Sequence, residues 1–269
     1  NLPSLKWDLG ATVSHYKNKI TELKGNSYLT DIADGTILTE VGRPMGVFYG
    51  YKTNGIYATT EDAKADGLQV RSGLADVPFG AGDVRFVNMN GDKYINEEDM
   101  TVIGDPNPDI YGGLNTRILW KNFTFSARFT YSLGNDVYNY TRRTLESMSG
   151  LENQTQAVLN RWRAEGQVTS MPKVTYGDPM GNARFSDRWI EDGSYLKFKN
   201  LTVAYDVPIK KGIITGIQVY AVAENICTWT KYKGYDPEFS ASTNPLGYGI
   251  DAFMTPQART FYVGLKLGL

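Results

Sequence analysis

The chain has 269 residues, a formal net charge of −1, one histidine and one cysteine. Near-neutral charge without a basic stripe argues against nucleic acid as a partner, lone Cys227 excludes an intramolecular disulfide and thiolate metal sites, and lone His15 excludes histidine triads and His-rich metal centres. No apolar run approaches the ~18 residues of a membrane helix, and the first residues read as lacking a signal peptide, but neither test speaks to a β-barrel, where only alternate residues face lipid.

Aromatic residues make up 13% of the chain, with 18 Tyr, beside 28 Gly. That mixture suits twisted strands, tight turns and interfacial aromatic girdles. Period two is the dominant pattern. The first predicted strand covers residues 7–19, with Trp7, Leu9, Ala11 and Val13 on one side. A long connection, roughly 22–112, holds β-like stretches within 44–60. Residues 114–120 and 123–132 then form a predicted hairpin around Lys121 and Asn122. Phe123, Phe125, Ala127, Phe129 and Tyr131 share one face, and Thr124, Ser126, Arg128, Thr130 and Ser132 the other. A second long connection, 134–193, has helical spacing over 142–163. Strands at 195–207 and 217–229 follow, the latter apolar on both faces. A third long connection, 230–257, leads to the last strand, 259–269, whose Phe261, Val263, Leu265, Leu267 and Leu269 point one way.

Short and long connections alternate. Compact domains seldom carry structureless connections beyond ~12–15 residues, whereas outer-membrane barrels pair short periplasmic turns with long extracellular loops. The fold class expected is therefore all-β: about six C-terminal antiparallel strands of a large transmembrane β-barrel with long extracellular loops. Six strands cannot close a membrane barrel, since open edges would leave backbone donors unpaired in lipid. Residues 1–269 accordingly read as one C-terminal part of a barrel whose plug and N-terminal strands lie elsewhere. The ending supports this, with Tyr262, Gly264 and apolar Leu267 and Leu269 spaced like a terminal barrel-assembly signal.

One loop carries a candidate metal site. Asn88, Asn90, Asp92, Tyr94 (through its backbone), Asn96 and Asp99 occupy positions 1, 3, 5, 7, 9 and 12 of a calcium loop, with apolar Ile95 at position 8. Hard Ca²⁺ takes several oxygens at once, and this spacing folds them around one point. Asn88 in place of Asp, Lys93 at the usual Gly position and Asp99 in place of Glu depart from the pattern. The alternative is a metal-free Asx-turn. Asp187, Glu191, Asp192, Asp236 and Glu238 do not make a glycosidase pair on spacing alone. With no phosphate loop, nucleophile elbow or zinc-protease motif, the chain reads as non-enzymatic.

Several phrases resemble the C-terminal barrel region of the SusC/RagA family of TonB-dependent outer-membrane transporters. They are GVFYGYKTNGIY at 46–57, GDPNPDIYGG at 104–113, SDRWIEDGSYLK at 186–197, ENICTWTKY at 224–232, GYDPE at 234–238 and PQARTF at 256–261. The resemblance spans nearly the whole chain. It implies a large plugged barrel in the outer membrane of a Gram-negative bacterium, importing oligosaccharides or peptides. A SusD-like lipoprotein lid and energy from the TonB complex are implied with it. The other reading is a soluble or surface-exposed β-rich glycan-binding module. On the transporter reading the three long loops face outward, and their tyrosines (Tyr49, Tyr51, Tyr57, Tyr235, Tyr248) are expected to contribute to a wide contact with the lid.

Overall fold

The computed structural model describes residues 5–209, 214–239 and 244–268. Six long strands form one sheet whose spatial order is the chain order: β1 (Leu5–Ser14), β2 (Ile110–Trp120), β3 (Phe123–Leu133), β4 (Tyr195–Val207), β5 (Gly216–Thr230) and β6 (Thr260–Gly268). All five pairings are antiparallel. Leu269, the last position of the expected assembly signal, lies outside the described residues.

Directly opposed residues of neighbouring strands share a face, so the register can be followed across the sheet. Trp7 lies opposite Ile118, and the row continues through Phe125, Val203 and Ala221 to Val263. One residue along, the row runs Asp8, Arg117, Ser126, Thr202, Val222, Tyr262. The first row belongs to an apolar outer face, the second to a polar inner face. Every Asp, Glu, Lys and Arg of the six strands falls on the inner side, counting the bulge residue Lys199, which joins Lys197 in one ion-pair cluster. The outer face is bare in this chain: Trp7 is 65% exposed, Val13 72% and Val263 76%. A contiguous apolar surface of this extent needs lipid or protein against it.

The alternation in β4 changes phase at one place. The β3 and β4 register shifts between Arg128 and Phe129, and β4 and β5 shift between Phe198 and Asn200. Lys199 is the extra residue of β4, while Asn225, with φ 51°, lies in the matching irregularity of β5. Such bulges re-aim side chains. This one turns Lys197 inward although Leu201, Val203 and Tyr205, also odd-numbered, point outward. β5 keeps its phase through the irregularity, yet looks apolar on both faces because small apolar residues stand on each. Ala221 and Ala223 face outward, while Val222 is on the inner face and buried.

The buried core is not in the sheet. It lies in the three long connections, which fold on each other. Ile37 and Phe48 of the first, Tyr138, Ala183, Phe185 and Trp189 of the second and Ile250 of the third form one cluster. A small sheet of Ile190–Asp192, Asp136–Asn139 and Ile250–Asp251 likewise draws on two connections. The first connection carries a four-stranded sheet, Ser27–Ile32, Gly35–Glu40, Val47–Gly50 and Thr101–Gly104. A second core around Tyr57, Phe79, Phe86 and Ile95 takes in Met180 from the second connection. The helical spacing over 142–163 gives only a short helix, Tyr140–Glu146, and a 3₁₀ turn, Gln156–Asn160. Met148 takes φ 54°, a left-handed conformation that no helix interior accepts, and the chain turns away there.

Candidate functional site

The family-like phrases are the joints of this assembly. Tyr51 donates its backbone N–H to Phe185 O at 3.2 Å, and Asp187 N–H donates to Tyr51 O at 3.0 Å. Thr53 Oγ1 then donates to Asp187 Oδ1 at 2.6 Å. These contacts seam 46–57 to 186–197. Gly50 is needed because a Cβ there would sit 2.7 Å from Phe185 O. In 104–113, Asp105 N–H donates to Asp136 Oδ2 at 2.9 Å and Asp136 N–H returns a bond to Asp105 O at 2.8 Å, tying the first connection to the second.

Trp189 is fully buried between two guanidinium groups, with Arg142 Cζ 5.0 Å and Arg188 Cζ 4.8 Å from its ring. Arg142 also reaches Glu191 at 2.5 Å and Glu146 at 3.3 Å. Burial and the neighbouring Arg142 charge lower Arg188 to about 10, still protonated at neutral pH.

The inner wall holds a second cluster. Lys197, 2% exposed, places Nζ 2.6 Å from Asp236 and 3.0 Å from Glu238, and Lys199 reaches Glu238 at 2.7 Å. The 234–238 phrase is thereby strapped to the wall. No sequence signal pointed to Lys197, because its inward direction depends on the bulge. All five carboxylates considered for glycoside chemistry have structural partners. Asp236 and Glu238 hold the lysines, Asp187 holds Thr53, Glu191 holds Arg142, and Asp192 Oδ1 accepts the Ser194 N–H at 2.9 Å.

The six candidate calcium donors lie in one tight loop. Asn88 Oδ1 accepts from Gly91 N at 2.6 Å, Asn90 Oδ1 from Asp92 N at 3.0 Å and Asp92 Oδ1 from Tyr94 N at 2.6 Å. Asn96 and Asp99 form a reciprocal cap, and Asp99, fully buried, also accepts from Met89 N at 2.7 Å. The left-handed turn sits at Gly91, φ 80°, and not at Lys93. Ile95 is buried in the core, and Gln69 brackets the loop by accepting from Ile95 N at 3.0 Å and donating to Lys93 O at 2.9 Å. The Tyr94 ring leaves the loop, its hydroxyl donating to Asp76 Oδ2 at 2.9 Å. Among the described residues no group of three or more His, Cys, Asp or Glu side chains is placed to hold a metal. Any cation here would rely on the three asparagines as much as on Asp92 and Asp99.

The five loop tyrosines do not form one contact surface. Tyr57 is 1% exposed inside a core, and Tyr51 packs against Phe86 with ring centroids 5.8 Å apart. Tyr49 is half-buried, while Tyr235 and Tyr248 remain exposed. Because the three connections share their cores, the loop body stands as a unit.

No family model matches the sequence. The chain is 32% identical over 280 residues to the TonB-dependent receptor P3 of Formosa agariphila, covering 97% of this chain and 26% of that protein. It is 28% identical over 270 residues to the TonB-dependent receptor SusC of Bacteroides thetaiotaomicron, covering 97% of this chain and 24% of that one. Among solved structures it is similar to the RagAB peptide transporter, with a TM-score of 0.74 and 25% identity over 98% of this chain and 27% of that chain. The same importer in its open-open state matches with a TM-score of 0.71. The chain thus spans about a quarter of the length of these relatives, which are receptors and an importer and not enzymes.

Proposed function

The chain is homologous over nearly all of its residues to TonB-dependent receptors of the SusC/RagA type, and on that premise we propose that it forms part of the wall and extracellular loops of an outer-membrane nutrient importer. The observation that carries this reading is the two-faced sheet. Six antiparallel strands paired in chain order, with one bulge at Lys199, keep every charge on one side and a continuous apolar surface on the other. A soluble glycan-binding module would leave that apolar surface in water. The free edges of β1 and β6 call for further strands of the same protein, since unpaired backbone groups in lipid cost several kcal/mol each. On this reading the remaining barrel strands and the plug lie outside the chain described.

The cargo is an oligosaccharide or a peptide, held beneath a SusD-like lipoprotein lid and moved with energy from the TonB complex. The lid seats on the loop body as a whole. Removing 22–112 would take Ile37 and Phe48 from the shared core, so deletion of that loop is not a clean test of docking. The test is a tagged full-length receptor extracted from outer membranes with detergent. A lipoprotein should co-purify with it, and uptake should stop when TonB is depleted. Recovery of the receptor in the soluble fraction, or uptake indifferent to TonB, contradicts the reading.

We further propose Ca²⁺ in the 88–99 loop. The support is the donor spacing, with the Asn90 and Asp92 side chains side by side, Asn90 Nδ2 donating to Asp92 Oδ2 at 3.1 Å.

A further inference from the structure

An Asn or Asp followed by Gly is open to attack on its side-chain carbonyl by the glycine nitrogen, because no Cβ hinders the approach. The chain has five such places: Asp34-Gly35, Asn54-Gly55, Asp66-Gly67, Asn90-Gly91 and Asp192-Gly193. In sequence they look alike, and the fold separates them. Asp34 accepts from Arg143 Nη1 at 2.9 Å, and Asp66 holds Arg85 through both oxygens at 2.7 and 2.8 Å. Asp192 accepts the Ser194 N–H, while the Gly193 N–H donates to Asn135 O at 2.8 Å. Asn90 is held on every side. Its Oδ1 accepts from Asp92 N at 3.0 Å, its Nδ2 donates to Asp92 and Glu98, and the Gly91 N–H donates to Asn88 Oδ1 at 2.6 Å.

Asn54 has none of these restraints. It is exposed, and its side chain makes no hydrogen bond to any described residue. Asn54 and Gly55 together stand opposite Arg85, between the pairs Thr53–Phe86 and Ile56–Val84. Such a bulge leaves its extra residue outside the ladder. Gly55 takes φ 78°, and nothing lies within 4 Å of where its Cβ would stand, so a cyclic product has room there. The flanks are fixed. Thr53 Oγ1 donates to Asp187 at 2.6 Å, and Ile56 packs against the core around Tyr57. The dipeptide is thus an unrestrained segment between two anchors.

We propose that Asn54 is a site of spontaneous deamidation in the folded receptor, and that its product loosens the seam between 46–57 and 186–197. The Gly55 amide nitrogen attacks Asn54 Cγ. The N–Cγ bond forms, the Cγ–Nδ2 bond breaks, and ammonia leaves with the proton that the nitrogen gives up. Solvent water then opens the cyclic imide, at Cγ to give aspartate or at the backbone carbonyl to give isoaspartate. Isoaspartate adds a methylene to the backbone between Thr53 and Ile56, and either product sets a new negative charge next to the residue that holds Asp187. The test ages the full-length receptor in detergent at neutral and mildly alkaline pH. Peptides spanning residues 54 and 90 are followed by mass, for ammonia lost and water gained, and by isoaspartyl methyltransferase labelling. In folded receptor Asn54 should convert at least about 10-fold faster than Asn90, while in denaturant the two should convert at similar rates, since only the fold sets their approach geometry apart. Amide exchange across 51–57 should rise as Asn54 converts, and should stay constant in Asn54→Gln, whose longer side chain would have to close a larger ring. Equal rates at the two asparagines in folded receptor, or conversion of Asn54 in denaturant alone, would overturn the site. Unchanged exchange across 51–57 in converted receptor would overturn the loosening of the seam.

Discussion

Lys197 Nζ lies 2.6 Å from Asp236 Oδ2, the lysine 2% exposed on an inner wall whose outer neighbour, Phe198, stacks on Phe129 with ring centroids 4.5 Å apart. The pair fastens the third connection to the barrel wall. Breaking a buried ion pair by removing one partner costs about 3–5 kcal/mol, because the other charge is stranded. The charge stranded here is Asp236, while Lys199 still holds Glu238. Lys197→Ala should speed amide exchange across 231–239 with little effect on β4. Combining Lys197→Met with Asp236→Leu should restore most of the protection. Unchanged exchange in the single variant would remove the strap from the account.

Gly264 and Tyr220 are a second coupled pair. They lie opposite each other on the inner face, and a Cβ on Gly264 would come within 2.3 Å of the Tyr220 ring. The tyrosine lies over the backbone of the glycine, so Gly264→Val should lower the level of assembled receptor severely. Tyr220→Ala alone should be mild, and the double variant should assemble better than Gly264→Val alone. Additive losses would show that Gly264 acts through strand flexibility and not through the ring above it.

The wall was largely legible in the sequence, for a physical reason. Phe123 to Tyr131 alternate strictly, as a strand does when its two faces meet opposite chemistries at every second residue. The loop body was not. Its cores join Phe48, Tyr138 and Ile250, residues about 90 to 200 positions apart, and periodicity carries no information about such pairings. The burial of Tyr57 was hidden for the same reason. Tyr57 looks like any exposed loop aromatic until Phe79 and Val84 are placed around it. Lys197 stayed hidden because one bulge residue, Lys199, reverses the phase of β4. The calcium-like spacing, by contrast, did mark a real local unit, a loop closed by its own Asx bonds around Gly91.

Asp136 should make the loop body respond to pH. Burial raises its pKa above the ordinary carboxylate value, with the nearby Asp105 and Asp192 charges acting in the same direction. An acid whose folded pKa is raised favours folding below its unfolded pKa and loses that contribution as pH rises through the folded value. Acidification from neutral pH should therefore tighten the 104–109 and 134–139 segments. Asp136→Asn, which keeps an acceptor for the Asp105 N–H, should be as stable at neutral pH as wild type is in acid. The readout is amide exchange in those segments against pH. A variant that retains the full wild-type pH dependence would exclude Asp136 as its source.

For the calcium proposal Asp99→Ala is uninformative, because it cuts the bonds to Met89 N and Asn96 N whether or not an ion is bound. Asp92→Asn keeps the acceptor for Tyr94 N and removes the charge. Chelation should speed exchange across 83–105 in wild type and leave the variant unaffected. If chelator changes neither protein, the loop is a metal-free Asx-turn.

The central claim is that the two faces of one sheet meet different media. Cys227 lies on the outer face, aligned with Phe198, and replacing it and every other cysteine of the full-length receptor with Ser clears the protein for site-directed spin labelling. Labels placed singly at Phe125, Val203 and Val263, and at Ser126, Thr202 and Tyr262, would be compared in liposomes by collision with oxygen and with a water-soluble nickel chelate. The first set should collide mainly with oxygen and the second mainly with nickel, alternating residue by residue along β3, β4 and β6. Equal nickel access on both faces would contradict the membrane wall and return the sheet to a soluble protein.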